Sequence, residues 1–444
     1  MEECDYISEL PDSLLTQILL DLQTKDSVKT RVLSKRWRNL WLNVPGLRLR
    51  TLEFTYPHHE EGLVRFMDRF MESNCRSRLQ KFMIRYFECN GYRDRLMELI
   101  GTLVDCGIQH LYILMHTCNR VDFIRQNIYK SKTLVSLKLY NVELTNPDFV
   151  VSLPCLKILK LMNICYGEDG PLVVEKLISG CPVLEDLELI KPFDILTQDV
   201  ILFLRVSSQT LKSLRLYFAT NGSGTEFSVE IDAPRLKYMT FYESRFDRIM
   251  VKNMSSLFSI EIRAKSSFEY GGLLKAEDPR KRAIICDFLT VISSVRHMII
   301  SGSILEELHS YSKLGSIPQF HNLYHLQASF LDTSLQLLPT FLNSCPNLKK
   351  LIMDYDYEVF EEENIDFHEV PQCLISTLEY VHINKLMMEE QSGIKLVNYF
   401  IENSAVLKKL TLRFLSFSSI ELESYKKLLT STKLSPTCQV IFDI

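Results

Sequence analysis

Several things are missing from this 444-residue chain, and each absence removes a class of function. No uninterrupted apolar run reaches the ~18 residues of a membrane span, so no membrane partner is expected. No charge sign dominates: 51 Lys and Arg face 55 Asp and Glu for a formal net charge of −4, which exerts no general pull on nucleic acid. The 12 cysteines contain no CxxC pair and follow no charged-then-apolar leader. This sets aside a secreted disulfide framework and favours a reducing compartment, the cytoplasm or nucleus. Cys155, Cys181 and Cys345 sit just before or within apolar units and are read as core rather than as zinc ligands.

Catalytic signatures are lacking too. No G-x-S-x-G, H-E-x-x-H or Walker pattern occurs, and no nucleophile is paired with a base. His58-His59-Glu60-Glu61 has no second cluster at ligand spacing and reads as a turn after Pro57, not a metal site. Gly222-Ser223-Gly224 lacks the third glycine of a phosphate cradle and reads as a loop. The chain is expected to be no enzyme and to carry no cofactor or metal.

What is present begins with Ser8 to Trp41, which holds both tryptophans of the sequence. Pro11 suits a first helical turn, and Leu14, Leu15, Ile18, Leu19 and Leu22 form one broad apolar stripe beyond it. Thr24 is the expected N-cap of a second helix carrying Val28 and Val32, and Ser34 that of a third with Trp37, Leu40 and Trp41 on one face. About 35 residues cannot bury such wide stripes against one another, so the surplus needs a partner or the rest of the chain. The cluster Lys25, Lys29, Arg31, Lys35, Arg36 and Arg38 reads as a solvated face.

From about residue 47 a unit L-x-x-L-x-L recurs, from LRTLEF at Leu49–Phe54 through LQKFMI, IQHLYI, LVSLKL and LKILKL to LKKLTL ending at Leu412. The spacing is mostly about 21 to 30 residues, the period of leucine-rich repeats. Each unit reads as a short strand with alternate apolar residues inward, buried only by stacking on its neighbours. The expected fold is α/β: a small N-terminal three-helix domain, then an irregular solenoid with parallel strands on its concave face. A wide gap holds a polar loop, Ser266 to Arg282, and an expected helix, Ala283 to Ile292, and an acidic insertion runs from Asp354 to Glu369.

Leu10-Pro11, Ile18-Leu19, Leu22, Asp26-Ser27-Val28, Val32 to Trp37 and Leu40-Trp41 together resemble the F-box of plant proteins; Gln23 departs from the proline common there. Val370 to Leu374, Leu378, Tyr399 to Asn403, Leu407 to Leu410 and Ser435 to Cys438 resemble the FBD module, with Asn384 to Gln391 departing from its usual turn. The resemblance implies an F-box at 1–46, a solenoid at 47–365 and an FBD-like module at 366–444. It implies a substrate receptor of a cullin-RING ubiquitin ligase. Leu10, Pro11, Ile18, Leu19, Leu22 and Val28 would meet or support a Skp-type adaptor and, through it, cullin. Trp37, Leu40 and Trp41 would support the bundle.

Binding chemistry is expected from strand residues between the inward leucines, which project outward. These include Ser136, Lys138 and Tyr140; Ser213, Arg215 and Tyr217; Tyr238, Thr240 and Tyr242; and Glu261 and Arg263. Tyrosine and arginine are frequent interface anchors, making Tyr140, Arg215, Tyr217, Tyr238, Tyr242 and Arg263 the candidates for holding a target protein. Two rivals stand beside this reading: a hormone-type small-ligand receptor, for which Lys138, Lys160, Arg215 and Arg263 are dispersed, and a scaffold without ligase function.

Overall fold

The structure, a computed structural model, describes residues 6–443 apart from 8, 55–57, 75–78, 88–90, 117–124, 167–169, 191–201, 218–226, 243–248, 264–278, 313–315, 357–366, 368, 387–390 and 416–432. Contacts divide the chain into two compact units, Met1–Leu211 and Lys212–Ile444. Gly222-Ser223-Gly224 and most of the two long insertions lie outside the described residues.

The first unit opens with helices α1 (Asp12–Leu20) and α2 (Thr24–Lys29). Pro11 precedes α1 in extended conformation, and Asp12 places a carboxylate at its positive end. The third α-helix expected from Ser34 is not formed: residues 33–39 are mostly turns and Leu40–Asn43 a 3-10 helix. Tertiary contacts override the helical spacing there. Trp37 and Leu40 bury against Leu15, Leu19 and Val44. Arg36 meanwhile reaches back, its Nε donating to Asp12 Oδ1 at 2.7 Å and Nη2 to the Leu10 carbonyl at 2.5 Å. Arg36 stays exposed, as do the other cations of the cluster, and also ties the turn back to the start of α1. Thr24 is not the N-cap of α2, a place held by Gln23; its hydroxyl accepts the Arg48 N–H at 2.8 Å.

Six strands then stack in chain order, all parallel: β1 (Gly46–Arg50), β2 (Lys81–Phe87), β3 (His110–His116), β4 (Ser136–Tyr140), β5 (Ile158–Met162) and β6 (Asp186–Ile190). The first repeat is displaced from its expected register. It is Val44-Pro45-Gly46-Leu47-Arg48-Leu49, five residues before LRTLEF, because Thr51–Glu53 turn as a 3-10 helix and leave Leu52 56% exposed. Helices α3 (His59–Asn74) and α4 (Arg93–Asp105) return between β1 and β3, and β7 (Leu202–Ser207) lies beside the helix Gly170–Ser179. His59 and Glu60 begin α3 rather than a turn, and the fully buried Glu60 carboxylate accepts the Tyr86 hydroxyl.

The second unit continues the pattern with β8 (Ser213–Tyr217), β10 (Tyr238–Tyr242), β12 (Ser259–Arg263), β13 (His297–Ile300), β14 (His325–Leu331), β15 (Lys350–Asp356), β16 (Tyr380–Leu386), β17 (Lys409–Phe414) and β18 (Gln439–Asp443), again parallel. β9 (Phe227–Asp232) and β11 (Ile249–Asn253) form a separate parallel pair. The expected helix from Ala283 starts earlier, at Pro279. Strands β15 to β18 carry the ladder through the FBD-like region, where Cys373, Leu374, Phe400 and Leu410 are fully buried. The turn after β16 departs from regularity: Lys385 takes φ 62, and the register shifts between Ile383 and Leu386.

Inward residues meet in register. Leu111, Leu137, Leu159 and Leu187 face one another across β3 to β6 with no more than 2% exposure. Two polar devices fix the stacking. From β1 to β6, and along the ladder from β8 to β17, two successive N–H groups converge at each step on one carbonyl of the preceding repeat, as Val135 and Ser136 do on Gln109. In addition a hydroxyl reaches back to the first apolar residue of the preceding unit: Thr133 to Ile108, Thr210 to Leu184, Thr377 to Leu348 and Ser435 to Leu407, at 2.7–3.0 Å. Thr377→Val keeps the shape and removes these bonds. It is expected to lower stability by about 1–2 kcal/mol, read as a lower urea midpoint at unchanged slope.

Candidate functional site

The helical bundle has one core face and one open face. Leu15, Leu19, Trp37, Leu40 and Val44 form its buried cluster, with Leu10, Leu20 and the half-buried Trp41 packed on it. Leu19, expected to meet or support the adaptor, is 1% exposed, because it shares the inward side of α1 with Leu15, which leaves it only the supporting place. Leu14 and Ile18, at i and i+4, line the other side with exposures of 44 and 48%, and Leu22, in the bend after the helix, is 39% exposed. Pro11 is exposed and Val28 half-buried. Val32 and Leu33 add further exposed apolar surface at 82 and 63%. The stripe read from sequence as one broad face is thus two faces, one filled and one open.

The outward strand residues fall into two groups by unit. In the second unit Tyr217 and Tyr242 are register neighbours with rings stacked at 5.7 Å. Glu261 accepts from Arg263 Nε at 2.5 Å and from the Thr240 hydroxyl at 3.3 Å. Tyr238 is 53% exposed, with its ring edge-on to Phe258. Arg215 lies beside Thr240 in the ladder. Further along, burial and the Lys350 charge hold the His325 imidazole below its ordinary range, and burial does the same to His382.

Tyr140 belongs to the first unit, against Tyr112 at 4.9 Å between ring centroids. Burial, then the neighbouring Tyr112 and Glu188, push the Tyr140 phenol up to about 12. Lys160 is paired with Glu188 at 2.5 Å. Sequence reasoning missed the residues preceding this group. Arg48, Arg50, Lys81, Arg85 and Tyr112 are outward on β1, β2 and β3, a placement that follows once the first repeat is set at Val44 and alternation is applied to KFMIRYF and HLYILMH.

Among the described residues no group of His, Cys, Asp and Glu could hold a metal ion. Burial pushes the Cys181 thiol up to about 12 and the Cys345 thiol well above its ordinary range, so both are inert core residues. Cys155, expected in the core, is exposed because it lies in the turn before β5.

Comparison with known proteins fits this arrangement. The F-box domain family matches residues 7–49, the LRR repeats of an FBD-associated F-box protein match 96–280, and the FBD family matches 366–412. An Arabidopsis thaliana F-box/FBD/LRR-repeat relative, At5g44960, is 92% identical over 442 residues, covering 100% of both chains. The chain belongs to the F-box/FBD/LRR-repeat family. Two further Arabidopsis thaliana members, F-box/FBD/LRR-repeat proteins At5g44980 and At2g26030, are 71% and 52% identical, each over 99% of both chains. The F-box match ends at residue 49, within β1, so the F-box overlaps the first strand of the repeats. The FBD match covers β16 and most of β17, which are further rungs of the same kind of ladder.

Proposed function

We propose that this F-box/FBD/LRR-repeat chain is the substrate-recognition subunit of a Skp-cullin-F-box ubiquitin ligase. The observation that carries the reading is the open Leu14–Ile18–Leu22 face on a segment matched by the F-box family. A row of exposed apolar residues beside a filled core is the form of an unoccupied interface half. A Skp-type adaptor covers it, with Pro11 at its margin and Leu10, Leu19 and Val28 supporting from beneath. Cullin joins through the adaptor, and the outward strand residues hold a target protein. The chain supplies no reacting group; it raises the effective concentration of a target lysine beside a ubiquitin-charged enzyme. Its place of work is the cytoplasm or nucleus.

Co-expression of the full chain with a plant Skp-type adaptor tests the assignment. The pair is expected to co-purify. Ile18→Asp combined with Leu22→Asp is expected to weaken capture by at least about tenfold, since two central apolar contacts become desolvated charges. Undiminished capture would overturn the assignment of this face.

A further inference from the structure

The outward positions of β1 to β5 carry six cationic side chains, Arg48, Arg50, Lys81, Arg85, Lys138 and Lys160, and no carboxylate. Two of the six are already matched, Arg48 at 3.8 Å from Asp21 and Lys160 bound to Glu188 on β6, and the Glu53 carboxylate lies near Arg50 at the end of β1. Lys81, Arg85 and Lys138 make no ion pair among the described residues. Arg50 and Arg85 are register partners on adjacent strands, and the Nε atom of each is buried without a hydrogen-bond partner. Arg85 is also hydrogen-bonded to the Tyr112 side chain, which ties this cation to the aromatic pair. Beside them, the Tyr112 and Tyr140 rings make a half-buried aromatic floor. His110, the register partner of Lys81 and Ser136, has its imidazole held below the ordinary range by burial and then by the Lys81 and Lys138 charges. The first unit thus presents one continuous cationic strip although the whole chain is acidic.

We infer that this strip, with Arg50, Lys81, Arg85 and Lys138 as cations and Tyr112 and Tyr140 as floor, takes an extended acidic polypeptide segment. The inference deepens the target-binding part of the function proposed above and rests on it. β1 to β5 span four inter-strand steps, roughly 19 Å at ~4.8 Å each, which an extended peptide at ~3.3 Å per residue crosses in about six residues. Carboxylates spread along such a segment meet cations on both sides of the tyrosines. The fork of Arg85 offers bidentate geometry that a lone small anion does not use along the length of the strip.

The test is fluorescence polarisation of the full chain with fluorescein-labelled hexaglutamate, with hexalysine, a labelled 12-nucleotide single-stranded DNA and tripolyphosphate as comparison probes. Hexaglutamate is expected to bind at low salt and weaken steeply as salt rises, and hexalysine to leave polarisation unchanged. Arg85→Glu with Lys138→Glu should abolish binding, and the shape-preserving pair Arg85→Gln with Lys138→Gln should weaken it at least about tenfold. Lys252→Gln, on β11 of the second unit, should leave it unchanged. Absence of hexaglutamate binding, binding unaffected by both double variants whose thermal midpoints match the parent, or equal competition by DNA or tripolyphosphate would each overturn the inference. Adaptor co-purification, measured on the same variants, fails only if the ligase reading itself is wrong.

Discussion

Leu19→Asp and Ile18→Asp, adjacent substitutions on one helix, are expected to have opposite consequences. Leu19 is 1% exposed among Leu15, Trp37 and Leu40, so an aspartate there is an unpaired carboxylate in an apolar cluster. Such burial costs about 4 kcal/mol or more, enough to melt a bundle this small. Ile18 is 48% exposed, and its replacement stays within about 0.5 kcal/mol. Thermal unfolding followed by tryptophan fluorescence reads the difference directly, because both tryptophans lie in or on that bundle. Leu19→Asp should abolish the Trp37 burial signal together with adaptor capture, while Ile18→Asp should weaken capture alone. An unfolded Ile18→Asp or a native Leu19→Asp would reverse the assignment of the two faces.

Asn141 is expected to give the second large effect, with an unusual ordering of variants. It follows β4 at φ 56, and Asn163 holds the same place after β5 at φ 53. Asn141 Nδ2 donates to the Met115 carbonyl at 2.8 Å, and its Oδ1 accepts from Asn163 Nδ2 at 2.5 Å. The backbone of each turn is held as well, Asn141 N–H on Met162 O and Asn163 N–H on Ile190 O. Asn141→Ala loses the side-chain bonds and places a Cβ residue without a polar side chain in the left-handed region. A loss of about 2–4 kcal/mol follows. Asn141→Gly loses the bonds but tolerates the conformation, so it should be the more stable of the two by about 1 kcal/mol, the reverse of the order at ordinary strand positions. Urea unfolding of both variants decides it; an alanine variant as stable as the glycine one would remove the role assigned to the turn.

Much of this architecture was legible because stacking imposes a rigid period. LVSLKL, LKILKL and LEDLEL announce β4, β5 and β6, since each strand must place two leucines inward at fixed spacing. The first repeat was misplaced because LRTLEF and VPGLRL both fit the pattern, and only the turn at Thr51–Glu53 decides between them. β9 and β11 were missed because they pair on a separate ladder and carry no L-x-x-L-x-L. Asn141 and Asn163 escaped notice because their spacing from the leucines is one residue short of the usual motif.

The sites were read less completely. Periodicity put Leu14 to Leu22 on a single stripe, but it could not divide α1 into filled and open sides, since that division depends on Trp37 and Leu40 folding back from a turn. The cationic strip is invisible along the chain because Arg50 and Lys138 are far apart in sequence. Parallel register alone brings their rows together.

One contact noted at the start of the fold reaches further than the bundle. The Thr24 hydroxyl accepts the Arg48 N–H of β1, the Lys25 ammonium donates to the Glu53 carbonyl at 3.2 Å, and Pro45 supplies the carbonyl on which Gln80 and Lys81 converge. β1 is the first strand of its ladder, and a bare edge strand is a template for aggregation. Here a proline without an N–H begins the row, and a helix satisfies one of the donors that follow. The F-box segment therefore acts as the lid of the repeat stack as well as its proposed link to an adaptor. A chain trimmed to its repeats would lose solubility along with adaptor binding.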